Sequence, residues 1–346
     1  MNLWPIIQPM LNLVPEHRLN YRVVIVDGPD APSFLQAQLC NDVNGLAQPS
    51  SGEPPVGAVQ AQLSGYCNAK GRLYASFWIW RDSAEQFRLL LPASLATSVV
   101  KRLSMFVLRA KVKVREADSV IFGGSLTQPI DFAAFSAQGL TLLPAERPHQ
   151  TRSNNDTERF WLLGPPSHAE PSQQNSTPGR LASGLQTLSP EAWDEAEIRQ
   201  GLPWFQAELS ERFVPQTVNL DLLGGVSFTK GCYPGQEVVA RSHYLGKLNQ
   251  RMFLFEGPSG LQPGADIFLF FEEGTREDPV GEIVSVASST DADRAHYLVS
   301  LKLEPFRDQS AVTGRMPSSG QAVMLELQAL PYVVPREPQI PNRPKL

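Results

Sequence analysis

The strongest constraint on the fold is the recurrence of short, β-branched segments that end at turn-forming residues. The first of them, YRVVIVDG (21–28), ends on Asp-Gly and predicts a strand followed by a turn. A hairpin is predicted around Asn68–Gly71, and further strands are predicted at FRLLLP and AKVKVRE. Strands of this length need a helix or a second sheet to cover them, so the pattern predicts an α+β fold.

Two stretches between these strands show helical spacing instead. In PDAPSFLQAQLCNDV (29–43), Asp30 is a candidate helix cap and Pro32 suits an early helical position. In ASLATSVVKRLSMF (93–106), apolar residues recur at the spacing of one helix face, at Leu95, Val99, Leu103 and Phe106. The strands and these two helices together predict one compact α+β unit.

The middle of the chain changes character. The stretch from Ser153 to Gly184 is rich in Pro, Ser and Asn, and it predicts exposed loops on either side of one strand at FWLLG. A helix is then predicted in SPEAWDEAEIRQGLP, with Ser189 as its cap, Pro190 in its first turn and Gly201 at its end.

The last third of the chain predicts strands and turns with little helical signal. The strand-like segments are RMFLFEG, DIFLFFEEG, PVGEIVSVASS, HYLVSLKL and QAVMLELQAL, as in a small antiparallel barrel or sandwich. The final segment, PREPQIPNRPKL, has four prolines and predicts a loose tail. We therefore expect a first α+β unit at 1–117, a second at 118–245, a β-barrel at 246–335 and a flexible tail at 336–346.

Charge and hydropathy exclude several classes of protein. The formal net charge is −5 and no dense run of Lys or Arg is present, so direct nucleic-acid binding is not expected, although folding could still assemble a local basic patch. No segment reaches the ~18 uninterrupted apolar residues of a membrane span. The amino terminus has neither the pattern of a secretory signal nor that of a transit peptide.

The three cysteines are far apart in the sequence and form no C-x-x-C motif. This usage fits a reducing compartment, so a cytoplasmic protein is expected, without a metal-ligand set of its own. Cys40 lies in an apolar helical segment and is expected in the core, whereas Cys67 is left undecided; neither is assigned a role.

The third cysteine lies in a different setting, FTKGCYPGQEVVAR (228–241). Glycines there allow unusual backbone conformations, and amide groups could point into one concavity around Cys232. Lys230 and these amides would favour the thiolate, the form that attacks electrophiles and binds soft metals. The alternative is that Cys232 is a buried apolar residue, as free cysteines commonly are. His243, eleven residues further on, could approach the thiol, although this spacing is a weak indication.

Two aromatic residues are candidates for a ligand pocket. Tyr21 opens the first strand and Trp193 lies in the first turn of the helix that ends at Gly201. Rings at the ends of strands and helices commonly line pockets for flat ligands. The alternative is that each ring belongs to the core.

With these residues in view, the chain resembles the YgfZ family. These are folate-binding proteins related to the aminomethyltransferase (T-protein) of the glycine cleavage system and to mitochondrial iron–sulfur assembly factors. DGPDAPSFLQAQLCNDV, CNAKGRLYASFWIWRD and WDEAEIRQGLP resemble family segments, and the resemblance extends from about residue 20 to 333. The family signature K-G-C-[YF]-x-G-Q-E, within a segment that ends at Arg241, is matched by Lys230, Gly231, Cys232, Tyr233, Gly235, Gln236 and Glu237.

The resemblance implies a T-protein-like fold, with two α+β units and a carboxy-terminal antiparallel β-barrel around a central cavity. It implies that tetrahydrofolate or a derivative binds there and contacts Tyr21 and Trp193. It further implies support of iron–sulfur cluster assembly or repair in client enzymes such as tRNA methylthiotransferases, and so an indirect link to tRNA modification. Cys232 would be the reactive thiol and Lys230 would set its potential. No metal would be bound by this chain alone.

One departure separates the chain from the enzymes of the wider group. Aminomethyltransferases carry an Asn-Ala-[SG]-x-x-x-Lys-Asp stretch, and the corresponding PASLATSV places Val99 at the aspartate. Without that carboxylate, general acid–base chemistry at the folate has no obvious agent, so glycine cleavage is not expected. The alternative to an accessory protein is a folate-dependent one-carbon transferase that acts on a small amine or thiol.

Overall fold

A computed structural model describes most of the chain between residues 15 and 337. The described ranges are 15–47, 59–126, 140–145, 158–166, 185–244, 248–271, 274–275, 278–289, 291, 293–306, 311–317 and 319–337. Most of the predicted loop region at 153–184 and nearly all of the predicted tail lie outside these residues.

The first unit is a five-stranded antiparallel sheet with two helices. Its strands are β1 (Tyr21–Asp27), β2 (Ala61–Cys67), β3 (Leu73–Ser83), β4 (Gln86–Pro92) and β5 (Lys113–Glu116). They lie in the order β2-β3-β4-β1-β5, so β5 is an edge strand. The helices are α1 (Ala31–Gln38) and α2 (Ala93–Met105). The strands and helices predicted for this part of the sequence are confirmed.

Two helix ends differ in detail from the predictions. Asp30 stands at the N-cap of α1, but its side chain makes no capping bond and instead accepts the backbone N–H of Lys111 at 2.7 Å. The helical spacing predicts Phe106 on the apolar face of α2, but it is the C-cap residue and is 47% exposed. The apolar periodicity continues one residue past the end of the helix, and there it no longer predicts burial.

The second unit is a four-stranded sheet followed by a helix. The strands are β6 (Val120–Leu126), β7 (Thr141–Pro144), β8 (Glu158–Gly164) and β9 (Leu185–Thr187), in the order β7-β8-β6-β9. Helix α3 (Pro190–Arg199) follows, and the hydroxyl of Ser189 accepts the N–H of Ala192 at 3.2 Å. The predicted cap, first-turn proline and end of this helix are confirmed, and Gly201 has φ +67°.

The carboxy-terminal part is a closed antiparallel barrel. Helix α4 (Gln236–Tyr244) precedes it, and a short helix α5 (Leu303–Phe306) follows its fourth described strand in sequence. In spatial order the barrel strands are β10 (Gln250–Pro258), β15 (Arg294–Lys302), β14 (Gly281–Ser288), β11 (Asp266–Phe268), β16 (Ala311–Arg315) and β17 (Ala322–Gln328); β12 (Phe270–Phe271) and β13 (Gly274–Thr275) form a separate pair. The barrel alternative is confirmed and the sandwich is not. The α+β fold has the predicted architecture, whereas the residue boundaries of its parts stay predictions.

The segment before α4 is tied to the barrel through buried polar groups. The guanidinium of Arg251 donates to both carboxylate oxygens of Asp221 at 2.6 and 3.0 Å, and the two side chains are 1% and 6% exposed. The amide of Asn219 donates to the carbonyl of Met252 at 2.6 Å. Breaking a buried pair leaves a charge without its partner, so these contacts hold the segment firmly against the barrel.

Candidate functional site

Lys230 anchors the loop that carries the cysteine motif, which we call the motif loop (residues 230–235). Its ammonium donates to the carbonyl oxygens of Gln36, Leu39 and Asn41 at 2.6, 2.6 and 3.1 Å, at and just beyond the end of α1. An ammonium has three protons, and all three are used here. Burial lowers the pKa of Lys230 to about 8. These bonds give Lys230 a structural role as the anchor of the loop, and its predicted effect on the potential at Cys232 stays a prediction.

Gly235 fixes the other end of the motif loop. Its φ is +82°, and a Cβ at this position would overlap the carbonyl oxygen of Asn68 and the backbone nitrogen of Gly71. Only glycine fits such a close approach, so the motif loop rests on the turn between β2 and β3. Gly231, in contrast, has no atom within 4 Å of where a Cβ would be. Of the two glycines predicted to shape the loop, Gly231 and Gly235, only Gly235 occupies a position where a side chain would not fit.

Cys232 is exposed, whereas the next residue, Tyr233, and Lys230 two residues earlier are buried. Tyr233 is 7% exposed, and its ring centre lies 5.3 Å from the ammonium of Lys230. The side-chain amide of Gln236 donates to the carbonyl of Lys230 at 3.4 Å. The thiol of Cys232 is free and open to solvent. The loop therefore presents this sulfur outward, and the alternative of a buried Cys232 is wrong.

Helix α4 begins directly after the motif loop. Arg241 pairs with Glu237 at 2.7 Å on the exposed side of the helix, and such pairs contribute little to stability. The ring of His243 stacks on Phe228 with centres 3.7 Å apart. Among the described residues, no hydrogen bond joins His243 to Cys232, so the predicted Cys/His pair has no support in the structure.

The other two cysteines meet beneath the motif loop. Cys40 and Cys67 are buried and lie close enough for each to shift the pKa of the other, and the thiol of Cys40 donates to the carbonyl of Gly225 at 3.3 Å. The sulfur of Cys40 also accepts the N–H of Gly65 at 3.2 Å. Burial opposes ionisation, but the bonds from Cys67 and Gly65 and the charge of Lys230 hold the pKa of Cys40 below its ordinary value. The bond to Cys40 and burial raise the pKa of Cys67. The burial of Cys40 was predicted, and its pairing was not.

A cavity lies where β1, α3 and the barrel meet. It leaves about 480 Å³ free of protein atoms, including its open mouth. Its apolar wall contains Ile198, Leu202, Val284, Val286 and Ala287. Its polar and aromatic side chains are Tyr21, Asp194, Glu197, Trp204, Gln206 and Ser285. Mostly apolar walls with a few convergent polar groups are typical of sites for small ligands.

Glu197 is the most buried acid of the cavity, and both of its oxygens are occupied. One accepts from the guanidinium of Arg159 at 2.9 Å and the other from the indole N–H of Trp204 at 2.8 Å. Burial raises the pKa of Glu197, and these two bonds oppose the rise. The carboxyl is therefore held in one orientation at the cavity wall.

Asp194 is the cavity acid that remains available to a ligand. Its side chain lines the cavity and is exposed to solvent there. Loss of hydration, together with the charges of Glu197 and Glu191, raises its pKa to about 7. A carboxyl with this pKa is present in both its protonated and its ionised form near neutral pH, so it can donate or accept a proton.

The two predicted ligand aromatics have different positions. Tyr21 lines the cavity, edge-on to Trp161 at 4.7 Å and to Trp204 at 6.0 Å between ring centres. Burial and the nearby acids raise the pKa of its hydroxyl. Trp193 is fully buried outside the cavity: its ring occupies the space over Gly123, where a Cβ would overlap it. Trp193 thus attaches α3 to the second sheet, and Trp204 is the indole that lines the cavity.

Sequence reasoning missed Asp194, Glu197, Trp204 and Ser285. One signal was available for Glu197, because it lies four residues after the buried Trp193 and so on the same face of α3. An acid on a buried helix face needs a partner or a function. No comparable signal existed for Ser285, which is aimed into the cavity by a register shift between Ile283 and Ser285.

Three further findings bear on the predicted chemistry. Val99, the position of the aminomethyltransferase aspartate, is buried in the apolar face of α2 and is not among the residues that line the cavity. Within the described ranges, no group of three or more His, Cys, Asp or Glu side chains could hold a metal ion. In the same part of the chain, none of the helices has the length and apolar character needed to cross a membrane.

Comparison with solved structures identifies the fold. The glycine cleavage system aminomethyltransferase T from Bartonella henselae superimposes with a TM-score of 0.53 over 93% of this chain and 87% of that protein, at 17% identity. At this level of identity the similarity shows a shared fold, and it agrees with the predicted T-protein-like architecture.

Comparison with known sequences identifies the family, although no family profile matches the chain. The tRNA-modifying protein YgfZ of Yersinia pestis (strain Pestoides F) is 27% identical over 79% of each chain. The tRNA-modifying protein YgfZ of Edwardsiella ictaluri (strain 93-146) is 31% identical, over 96% of this chain and 98% of that protein. Because this identity extends along nearly the whole of both chains, the chain belongs to the YgfZ family.

Proposed function

We propose that this protein holds a tetrahydrofolate in its central cavity and supports tRNA modification through the assembly or repair of iron–sulfur clusters in client enzymes. The names of its relatives as tRNA-modifying proteins support the link to tRNA. The fold shared with an aminomethyltransferase of the glycine cleavage system supports the folate. The proposed clients include the enzymes that methylthiolate tRNA.

The observation that carries the proposal is the pair of carboxyls at the cavity, of which Glu197 is buried and Asp194 is open to solvent. A pterin is flat and carries adjacent N–H groups along one edge, so it needs acceptors in its plane and an aromatic ring or apolar wall against its face. Asp194 supplies a carboxyl that no described ion pair occupies, and Trp204 supplies the ring. The hydroxyl of Ser285 has no partner among the described residues, and such buried polar atoms call for one.

Cys232 is assigned to a client rather than to the folate. No residue of the motif loop is among the described residues that line the cavity, whereas the thiol faces solvent. An exposed sulfur can contact a cluster, a persulfide or a one-carbon adduct on another protein. All three cysteines are free, which is typical of a reducing compartment, so the proposed location is the cytoplasm.

The folate half of the proposal is tested by calorimetry with tetrahydrofolate. Asp194→Asn is expected to weaken binding at least tenfold at pH 8, because the amide replaces an acceptor oxygen with a donor. Glu191→Gln is the matched control, since Glu191 lies on the same helix but outside the cavity. Equal affinities of wild type and Asp194→Asn would exclude this acid from the site.

The proposed action of Cys232 on client enzymes is tested in a strain that lacks the gene for this protein. Cys232→Ala is expected to lose the support of tRNA methylthiolation while the affinity for tetrahydrofolate stays unchanged. Full complementation by Cys232→Ala would show that the sulfur is not needed. Methylthiolation in the strain can be measured directly on its tRNA by mass spectrometry.

The ionisation of Asp194 favours one second candidate, a folate-dependent one-carbon transferase. A carboxyl with a pKa of about 7 can act as a general acid or base near neutral pH. Asp194 could therefore supply the proton transfer that aminomethyltransferases assign to the aspartate, whose position is Val99 in this chain. This candidate predicts that the purified protein turns over methylene-tetrahydrofolate with a small amine or thiol. Absence of turnover with a panel of such acceptors would eliminate it.

A further inference from the structure

A cationic surface with exposed apolar side chains lies at the end of α2. Residues 101–115 contain six Lys or Arg and no Asp or Glu, in a chain whose formal net charge is −5. The same stretch contains three strongly exposed apolar side chains, Met105, Phe106 and Leu108, at 65%, 47% and 86%. We call this surface, from Lys101 to Lys113, the basic edge.

Four of the six cations are available to a partner. Arg102 is not, because its guanidinium lies 3.7 Å from the ring centre of Tyr74. Arg115 is paired with Asp27 at 3.1 Å. The others, Lys101, Arg109, Lys111 and Lys113, are exposed and form no ion pair with any described residue.

The apolar side chains of the basic edge have no structural task that explains their exposure. The apolar face of α2 that packs on the sheet ends at Leu103, and the helix itself ends at Met105. Lysines on an edge strand such as β5 protect it from pairing with other chains, which accounts for Lys113. That reason does not extend to Phe106 and Leu108, because they precede the strand. Large apolar side chains that are exposed together within four residues point to an interaction site.

The combination of charges and rings indicates the chemistry of the partner. Separated cations around a centre of apolar and aromatic side chains complement an anion that also has flat apolar surfaces. A single-stranded loop of RNA has both, since its phosphates are negative and its unstacked bases can lie on Phe106, Met105 or Leu108. A regular duplex would offer phosphates but would keep its base faces stacked.

We propose that the basic edge docks an unpaired loop of RNA, and, resting on the proposed role in tRNA modification, that this RNA is tRNA. The acidic remainder of the chain repels phosphates, so binding is confined to this surface and weakens steeply with salt.

The experiment measures the binding of a fluorescent, unmodified tRNA transcript by anisotropy between 50 and 200 mM salt. The variant Arg109→Glu with Lys111→Glu is expected to bind at least tenfold more weakly. Its plot of log affinity against log salt should lose about 1.4 of its slope, because about 0.7 is contributed by each phosphate contact of a single strand. The matched control is Lys70→Glu with Lys302→Glu, which makes the same change of charge at exposed lysines elsewhere.

A second variant, Phe106→Ser with Leu108→Ser, separates stacking from charge. It is expected to lose affinity for tRNA several-fold without a change in the salt slope, since no cation is removed. Equal effects of the two double charge reversals would overturn the proposal, and so would the absence of binding at 50 mM salt. Binding to vesicles that contain anionic lipid, without binding to tRNA, would overturn it in favour of a membrane partner.

Calorimetry with tetrahydrofolate on the same variants separates this inference from the proposed function. Loss of tRNA binding with intact folate binding is expected for the charge reversal at Arg109 and Lys111. If wild-type protein binds folate but not tRNA, the basic edge proposal alone is wrong. If it binds tRNA at this edge but not folate, the cavity proposal alone is wrong.

Discussion

Residues that are close in the sequence of the motif loop differ in burial, whereas residues from distant segments of the chain line the same cavity. Lys230 and Tyr233 are buried and Cys232 between them is exposed, because Lys230 and Gly235 fix the backbone. The cavity collects side chains from β1, α3 and the barrel, and Tyr21 and Ser285 are far apart in the sequence.

This difference explains why one site has a sequence signature and the other does not. A loop that must hold one sulfur outward needs several neighbouring residues for its own backbone, so its pattern is compact. A cavity needs only one or two residues from each element, and each looks ordinary in its own segment. A strong local motif is thus evidence of a demanding backbone shape, and most of its residues act on that shape.

The comparison is tested first at the buried charge of the cavity, where the largest effect is expected. Glu197→Ala should lower the free energy of unfolding by about 3–5 kcal/mol, because it leaves the guanidinium of Arg159 and the N–H of Trp204 without their acceptor. Urea denaturation measures this loss. Glu191→Ala, at an exposed position of the same helix, should change stability by less than about 0.5 kcal/mol. A loss below about 1 kcal/mol for Glu197→Ala would mean that water replaces the carboxylate.

The second test concerns the anchor of the motif loop. Lys230→Met should cost about 2–3 kcal/mol, since it leaves the buried carbonyls at the end of α1 without a donor. Cys232→Ala, two residues away, should change the unfolding free energy by less than about 0.5 kcal/mol because the side chain is exposed. If the two substitutions had similar effects on stability, the division of the motif into anchors and a presented thiol would be refuted.

The third test compares the two glycines of the motif loop. Gly235→Ala should destabilise the protein by about 2 kcal/mol, because its positive φ and the contact with Asn68 both resist a Cβ. Gly231→Ala has open space and should be nearly neutral. Thermal unfolding of both variants is the measurement. The alkylation rate of Cys232 in Gly235→Ala should also differ from wild type, and an unchanged rate would show that the contact with the hairpin does not position the thiol.

The smallest effect is expected at Asp194 and depends on pH. Its pKa is raised to about 7 in the folded protein from an ordinary value near 4, so the folded state resists its ionisation. The contribution of Asp194 to stability should therefore be most favourable below pH ~4 and be lost as the pH rises through 7. Asp194→Asn removes this pH-dependent loss of stability. The loss should amount to less than about 1 kcal/mol, because solvent reaches the side chain. Melting temperatures at pH 4 and pH 8 should differ less in the variant than in wild type; equal differences would mean that Asp194 is not perturbed.

Much of the fold could be predicted from local patterns. The two helices of the first unit, the cap of α3 and most barrel strands follow from periodicity and turn residues, which act within a few positions of one another. The prediction for Phe106 was wrong because the end of a helix depends on what covers it. Strand β16 was missed because AVTGR is short and contains a glycine, so its strand signal is weak.

In the candidate site, too, residues with local backbone requirements could be predicted, whereas residues placed by tertiary contacts could not. Cys232 and the glycines around it could be chosen from the sequence, because their backbone needs are local. The sequence predicts Trp193 at the cavity, but its ring packs over Gly123, because tertiary packing decides which face of α3 meets the second sheet. The meeting of Cys40 and Cys67 could not be predicted either, because it requires the pairing of Leu39 with Tyr66 across the edge of the first sheet.

The order of amino acids was enough to determine the α+β units, the barrel and a loop that carries a thiol, because hydrophobic periodicity and glycine conformation are properties of short segments. Tertiary contacts alone decided that Lys230 binds carbonyl oxygens, that the pKa of Asp194 is raised to about 7 and that four cations of the basic edge form no ion pair with the described residues. Hydration, distance to other charges and free donors are set by the whole surroundings of a group, and only the folded chain creates those surroundings.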